Sequence, residues 1–225
     1  WFVTNGLLTV ELISGRMQVG DSKFEDSTPA GINIASDPDD GNAPTYASFG
    51  TVSNTSAGEQ RRPDKSANGY ATERINRKGE VSDDASKKIP EARIAYFEKA
   101  TGHNVPRVFW DFLNSKGPVR NGVANTNGPL MDPWVFAMGL PISDAYWANV
   151  KIEGKMQDVL IQAFERRVLT YAPGLPAGWQ VQMGNIGQHY YDWRYKDAGR
   201  PAGGVALPTA TPPAGATPVA TIPPV

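Results

Sequence analysis

Along residues 90–195 apolar positions recur at regular spacings, whereas along residues 26–88 they are scattered among Pro, Gly, Ser, Asn and Asp. Val105, Val108, Phe109, Phe112 and Leu113 stand three and four apart and form one face of a helix closed by Asn114 and Gly117. A second helix is expected after Pro141, where Ser143 and Asp144 can cap a start continued by Ala145, Tyr146, Trp147 and Ala148. Val150-Lys151-Ile152 and Val159-Leu160-Ile161 flank Glu153-Gly154-Lys155 and read as a β-hairpin. Residues 168–171 read as a further strand, ended by Pro173-Gly174. Residues 91–99, with Ala92, Ile94, Ala95, Tyr96 and Phe97, read as globular up to a stop at Thr101-Gly102-His103.

The flanking regions are less regular. In residues 7–24, Leu8, Val10, Leu12, Met17 and Val19 are punctuated by Gly15 and Gly20, which fits one or two short strands; Val10-Glu11-Leu12-Ile13 also fits one helical turn. Residues 26–88 carry the turn signals Asp37-Pro38-Asp39-Asp40-Gly41 and Asn68-Gly69. A structureless loop of that length is uncommon inside a domain, so short strands are expected at residues 46–52 and 70–75, a mobile insertion being the alternative. After Tyr195 the chain turns to Pro, Thr and Ala, with Thr211-Pro212 and Thr217-Pro218. Such a segment lacks the apolar area to offset its ordering entropy and reads as a disordered tail or extracellular linker. The expectation is an α+β protein divided as 1–89, loop-rich with β structure; 90–195, a compact repeat-like domain of short helices and hairpins; and 196–225, the tail.

Charge and composition narrow the function. Lys plus Arg number 22 against 23 Asp plus Glu, so no long-range positive field attracts nucleic acid. With no cysteine, disulfides, thiolate zinc sites and cysteine nucleophiles are excluded. No run approaches the ~18 apolar residues of a membrane span. The opening Trp1-Phe2-Val3 lacks an initiator Met and reads as a trimmed or mature start.

Trp1-x-Val3-x-x-Gly6-x-Leu8 shares its frame with Trp179-x-Val181-x-x-Gly184-x-Ile186, as a truncated tandem array would. The order Gly102-His103-Asn104-Val105-Pro106, Phe109-Trp110-Asp111-Phe112, Gly139-Leu140-Pro141-Ile142-Ser143, Gln162-Ala163-Phe164-Glu165-Arg166-Arg167 and Gly184-Asn185-Ile186-Gly187 resembles an uncharacterised family of secreted proteins of thermophilic Chloroflexota-type bacteria. More distantly, Gly-Leu-Pro-Ile-Ser followed by Gln-x-Phe-Glu is similar to LGFP-type cell-envelope repeats. The resemblance implies an envelope role and fixes no ligand.

Five tryptophans lie between residues 110 and 193 among tyrosines. Flat rings beside Asp, Asn, Gln and Arg suit a sugar, whose ring faces stack while its hydroxyls take directional hydrogen bonds; the same rings also suit a small domain's core. The candidate ligand-binding residues are Trp110, Trp134, Tyr146, Trp147, Trp179, Trp193 and Arg194, with Trp110 and Trp193 expected at the surface. A glycosidase would need two carboxylates about 5 to 10 Å apart, and Glu165 with Asp111 is the pair to test, against an ordinary Glu-Arg ion pair. His103 and His189 show no ligand spacing, no Gly-x-Ser-x-Gly elbow occurs, and neither a catalytic residue, a metal site nor a cofactor is expected. Asp37, Asp39, Asp40 and Asn42 could offer oxygen to calcium, but depart from the EF-hand pattern and read first as an acidic turn. Asn54-Thr55-Ser56 is a glycosylation sequon. The leading expectation is a secreted or cell-surface, non-catalytic module binding envelope or extracellular polysaccharide. Its rivals are a self-associating surface-layer or filament subunit and a carboxylate-dependent glycan hydrolase.

Overall fold

The computed structural model describes residues 6–55 and 60–197, so Trp1, Val3, Ser56 of the sequon and the tail beyond residue 197 lie outside the described residues. Of the short strands and the helical turn that residues 7–24 allowed, helix α1 (Leu8–Ser14) forms first, because Thr9, Leu12 and Ile13 fall on one helical face and are buried there. It stops at Gly15, whose φ of 74° is left-handed and whose Cβ, if present, would sit 2.5 Å from the Ser27 carbonyl oxygen. Strands β1 (Arg16–Gln18) and β2 (Phe24–Asp26) pair as a short antiparallel ribbon. Ala47–Thr51 is a 3-10 turn rather than a strand, and it buries Phe49 beside the buried Tyr46. The strand expected at 70–75 is present as β3 (Glu73–Ile75), followed by β4 (Val81–Asp83).

Strands β5 (Ile94–Glu98) and β6 (His103–Pro106) pair antiparallel and lead into α2 (Arg107–Leu113), the helix marked by the three-and-four spacing. A two-stranded ribbon, β7 (Lys116–Asn121) with β8 (Ala124–Pro129), and helix α3 (Trp134–Met138) follow. Then come β9 (Tyr146–Ile152), β10 (Lys155–Ala163), β11 (Val168–Tyr171), β12 (Val181–Met183) and α4 (Ile186–Tyr191), which continues as a wider helical turn over Asp192–Asp197. No helix among the described residues is long and apolar enough to cross a membrane.

The architecture is α+β, centred on a six-stranded sheet in the order β12-β11-β10-β9-β3-β4. The expected hairpin is its middle: β9 and β10 pair from Lys155↔Ile152 to Ile161↔Tyr146. Their turn holds Glu153 at φ 51° and Gly154 at φ 76°, the doubly left-handed geometry that matches strand twist. The helix expected after Pro141 is absent, and its residues enter β9. Tyr146 and Ala148 pack on one face and Trp147 on the other, so a strand buried on both sides shows no polar alternation to distinguish it from a helix. Ser143 and Asp144 do not cap. Ser143 Oγ accepts from the Ala163 N–H at 3.1 Å, and Asp144 accepts the Asn104 N–H at 2.8 Å.

Each sheet face carries a core. Ile13, Tyr46, Phe49, Tyr146, Val150, Ile161 and Trp193 pack on one side. Phe109, Leu113, Met138, Trp147, Leu160 and Phe164 pack on the other. The boundary expected at residue 89 does not divide the sheet, since β3 and β4 extend it beside β9 and the irregular segment's Ile34, Tyr46 and Phe49 fill the first core.

Candidate functional site

One sheet face is left partly open towards β12. The β11–β12 register sets Thr170 against Gln182, and Ala172 donates its N–H to the Gln180 carbonyl at 2.9 Å, closing the loop that carries Leu175 and Trp179. Side chains two apart on a strand share a face, so Gln180 and Gln182 are presented together. Opposite them runs the segment of Asn33 and Ser36, and the end is formed by Asn185, just before α4, and His189, in its last turn. The result is a groove of about 370 Å³ with Val159, Ala172 and Leu175 among its apolar lining and amide groups around it. Trp179, next to Gln180 in the chain, is 69% exposed.

The polar groups of the groove are held in place. Asn33 Nδ2 donates to the carbonyls of Asp37 and Asp40 at 3.1 and 3.0 Å, and its Oδ1 accepts from Arg77 Nη1 at 2.9 Å. Tyr46 Oη lies 2.9 Å from His189 Nδ1. Burial pushes the Tyr46 hydroxyl's pKa up, so it stays protonated beside Nδ1. Burial pushes the His189 pKa down, against the opposing pull of Asp192, which favours the neutral imidazole. The bond to Tyr46 fixes the ring's orientation.

The acidic turn is a clamp on the β9–β10 hairpin. Asp37 accepts the N–H groups of Glu153 and Gly154 at 3.1 and 2.9 Å. The buried Asp40 accepts those of Lys151 and Asn42 at 2.8 and 3.0 Å, while Asp39 meets Lys151 Nζ at 2.5 Å. These carboxylates are spent on turn and hairpin donors, and among the described residues no three His, Asp or Glu come together to hold a metal. The sequon asparagine is spent likewise: Asn54 Nδ2 donates to the Thr101 carbonyl at 2.7 Å and Oδ1 accepts the Gln60 N–H at 2.6 Å.

The aromatic residues singled out by sequence do not form one strip. Trp193 is 2% exposed and donates Nε1–H to the Thr28 carbonyl at 2.8 Å. Its charged neighbours mislead, because successive side chains on a helical turn point about 100° apart. Trp147 and Tyr146 are also core residues, Trp147 donating to the Ala71 carbonyl at 2.9 Å. Trp110 and Trp134 do meet, half-buried, but their ring surfaces serve each other and Tyr96. Trp110 stacks on Tyr96 at 4.3 Å between centroids, and Trp134 stands edge-on to both Trp110 and Phe164. Arg194 binds the Tyr190 hydroxyl and the Gln18 carbonyl beside the buried Glu11, tying the chain's two helical ends together. Only Trp179 of the set is exposed, and it adjoins the groove residue Gln180 in the chain.

The acid pair tested by sequence is also structural. Glu165 Oε2 accepts the Leu140 N–H at 2.9 Å, and the exposed Asp111 pairs with Arg107 within its own helix. His103 is fully buried with Nδ1 3.3 Å from Asp144 Oδ1, inside a polar knot that includes Asn104 and Gln162. Neither the sequence spacing nor the resemblance pointed to Asn33, Gln180, Gln182 or Asn185. The i, i+2 pair Gln180 and Gln182 carried a readable signal; Asn33, in an irregular segment, carried none. No family model matches this chain, and no curated protein or solved structure matches it either.

Proposed function

We propose that the protein is a non-catalytic module, secreted or displayed at the cell surface, that binds polysaccharide in the groove beside β12. The observation that carries this reading is the groove's lining: the amides of Gln180, Gln182 and Asn185 and the His189 imidazole beside the apolar Val159, Ala172 and Leu175, with the exposed Trp179 adjoining Gln180 in the chain. Amides offer both donors and acceptors, which a sugar's hydroxyls use in pairs, and an indole face offers a stacking surface for an apolar ring face. The secreted setting rests on the Pro/Thr-rich sequence after residue 195 and on the resemblance to secreted proteins.

Affinity electrophoresis of the folded chain through gels containing soluble polysaccharides tests the reading. Retardation by at least one polysaccharide, lost in Gln182→Ala and in Trp179→Ala but kept in Trp110→Ala, is expected. Unretarded migration in every gel contradicts it. So does retardation lost in Trp110→Ala alone, which moves the site to the stacked aromatic cluster.

A further inference from the structure

A second cavity, of about 520 Å³, adjoins the groove and shares Asn33, Ser36 and His189 with it. Its lining brings in the charges Arg77, Asp192 and Lys196. Asp192 is already taken by Lys196 Nζ at 2.6 Å and by the Gln188 amide at 2.9 Å. Arg77 is anchored instead by neutral acceptors, its Nη1 donating to Asn33 Oδ1 and to the Ala43 carbonyl, both at 2.9 Å. A guanidinium held through one nitrogen by uncharged groups keeps its full charge and its remaining N–H fork for a ligand. The groove proper has the opposite bias, since Asp37 and Glu153 are in its lining. An anionic group is therefore disfavoured at one end of the combined cleft and favoured at the other.

We infer that the cleft takes an acidic heteropolysaccharide, with a neutral sugar among the amides of the groove and the carboxylate of a neighbouring uronic acid on Arg77. His189 lines both cavities and lies between the two units. This inference rests on the polysaccharide reading and adds the charge and direction of the ligand.

Calorimetry on the full chain uses two probes of equal length: an oligomer alternating glucuronate with N-acetylglucosamine, and a neutral N-acetylglucosamine oligomer. The acidic oligomer is expected to bind roughly tenfold more tightly, as one charge-assisted contact provides, and this advantage should shrink as salt rises. Arg77→Gln should lose the preference, so that the two oligomers bind this variant with equal affinity; Arg77→Lys should keep part of it. A melting curve for each variant confirms the fold. Equal affinity for both oligomers, or a preference unchanged in Arg77→Gln, overturns this inference and leaves the polysaccharide reading standing. Binding of neither oligomer overturns it too, and affinity electrophoresis then decides the wider reading separately.

Discussion

Replacing Trp193 and Trp179 separately by alanine distinguishes a tryptophan that builds the fold from the exposed one proposed to meet a ligand. Trp193 is 2% exposed and packs in the core with Tyr46, Phe49 and Ile186. Truncating a buried Trp to Ala costs ~3–5 kcal/mol through lost transfer energy and the cavity left behind. Losing the Nε1–H that the Thr28 carbonyl accepts adds ~1 kcal/mol. Against a total of ~5–15 kcal/mol for a folded domain, the loss is a large share of the stability. At ~2–4 °C per kcal/mol for a chain of this size, the melting temperature should fall by roughly 8–24 °C. Trp179, 69% exposed, should change stability by no more than ~0.5 kcal/mol. Urea unfolding followed by far-UV circular dichroism avoids the loss of indole fluorescence and reads both variants on the same scale. Comparable losses in the two variants, or a near-neutral Trp193→Ala, would refute the assignment of roles.

Other outcomes follow from the hydrogen bonds and ion pairs. The Ser86 side chain and then Arg74 hold the Asp84 pKa down to about 2, below its ordinary 3.8. Its folded-state pKa being the lower one, its contribution is present above about pH 4 and fades as pH falls through about 2; Asp84→Asn should flatten an acid titration monitored by circular dichroism across that window. For Tyr190, burial first and then its bond to Glu11 push the hydroxyl up to about 12. The sign is reversed here: this contribution is complete below pH 10 and is lost as pH rises towards 12, so ultraviolet titration should show Tyr190→Phe removing a late-ionising phenol. Early ionisation of every tyrosine in the folded chain would contradict the burial of Tyr46 and Tyr146, whose pKa values burial also raises. Gly154→Ala, forced to φ 76° in the β9–β10 turn, should cost ~1–2 kcal/mol in a thermal melt, and no loss would contradict the left-handed turn.

The parts of the fold legible in the sequence are those where one face is polar or a turn has a chemical signature. Helix α2 showed its apolar stripe, and the β9–β10 hairpin showed Glu153-Gly154 between alternating strands. The first half of β9 was hidden because Ala145-Tyr146-Trp147-Ala148 is buried on both sides, leaving no period to read. The irregular segment read only as short strands, or else an insertion, because its contribution to the core comes as isolated residues, Ile34, Tyr46 and Phe49, brought together only by long-range contacts. For the site, aromatic content was a poor guide: Trp147 and Trp193 bury their rings and satisfy their indole N–H groups on carbonyls distant in sequence. Asn33 and Arg77 meet across 44 positions, a pairing no local pattern announces.

Backbone amide and indole NMR shifts, recorded while a glycan that retards the chain in affinity electrophoresis is titrated in, test the central claim most directly. Perturbations are expected at Asn33, Trp179, Gln180, Gln182, Asn185 and His189, with Tyr96, Trp110 and Trp134 unmoved. Perturbations confined to those three aromatic residues would contradict the claim that the groove beside β12 is the binding site.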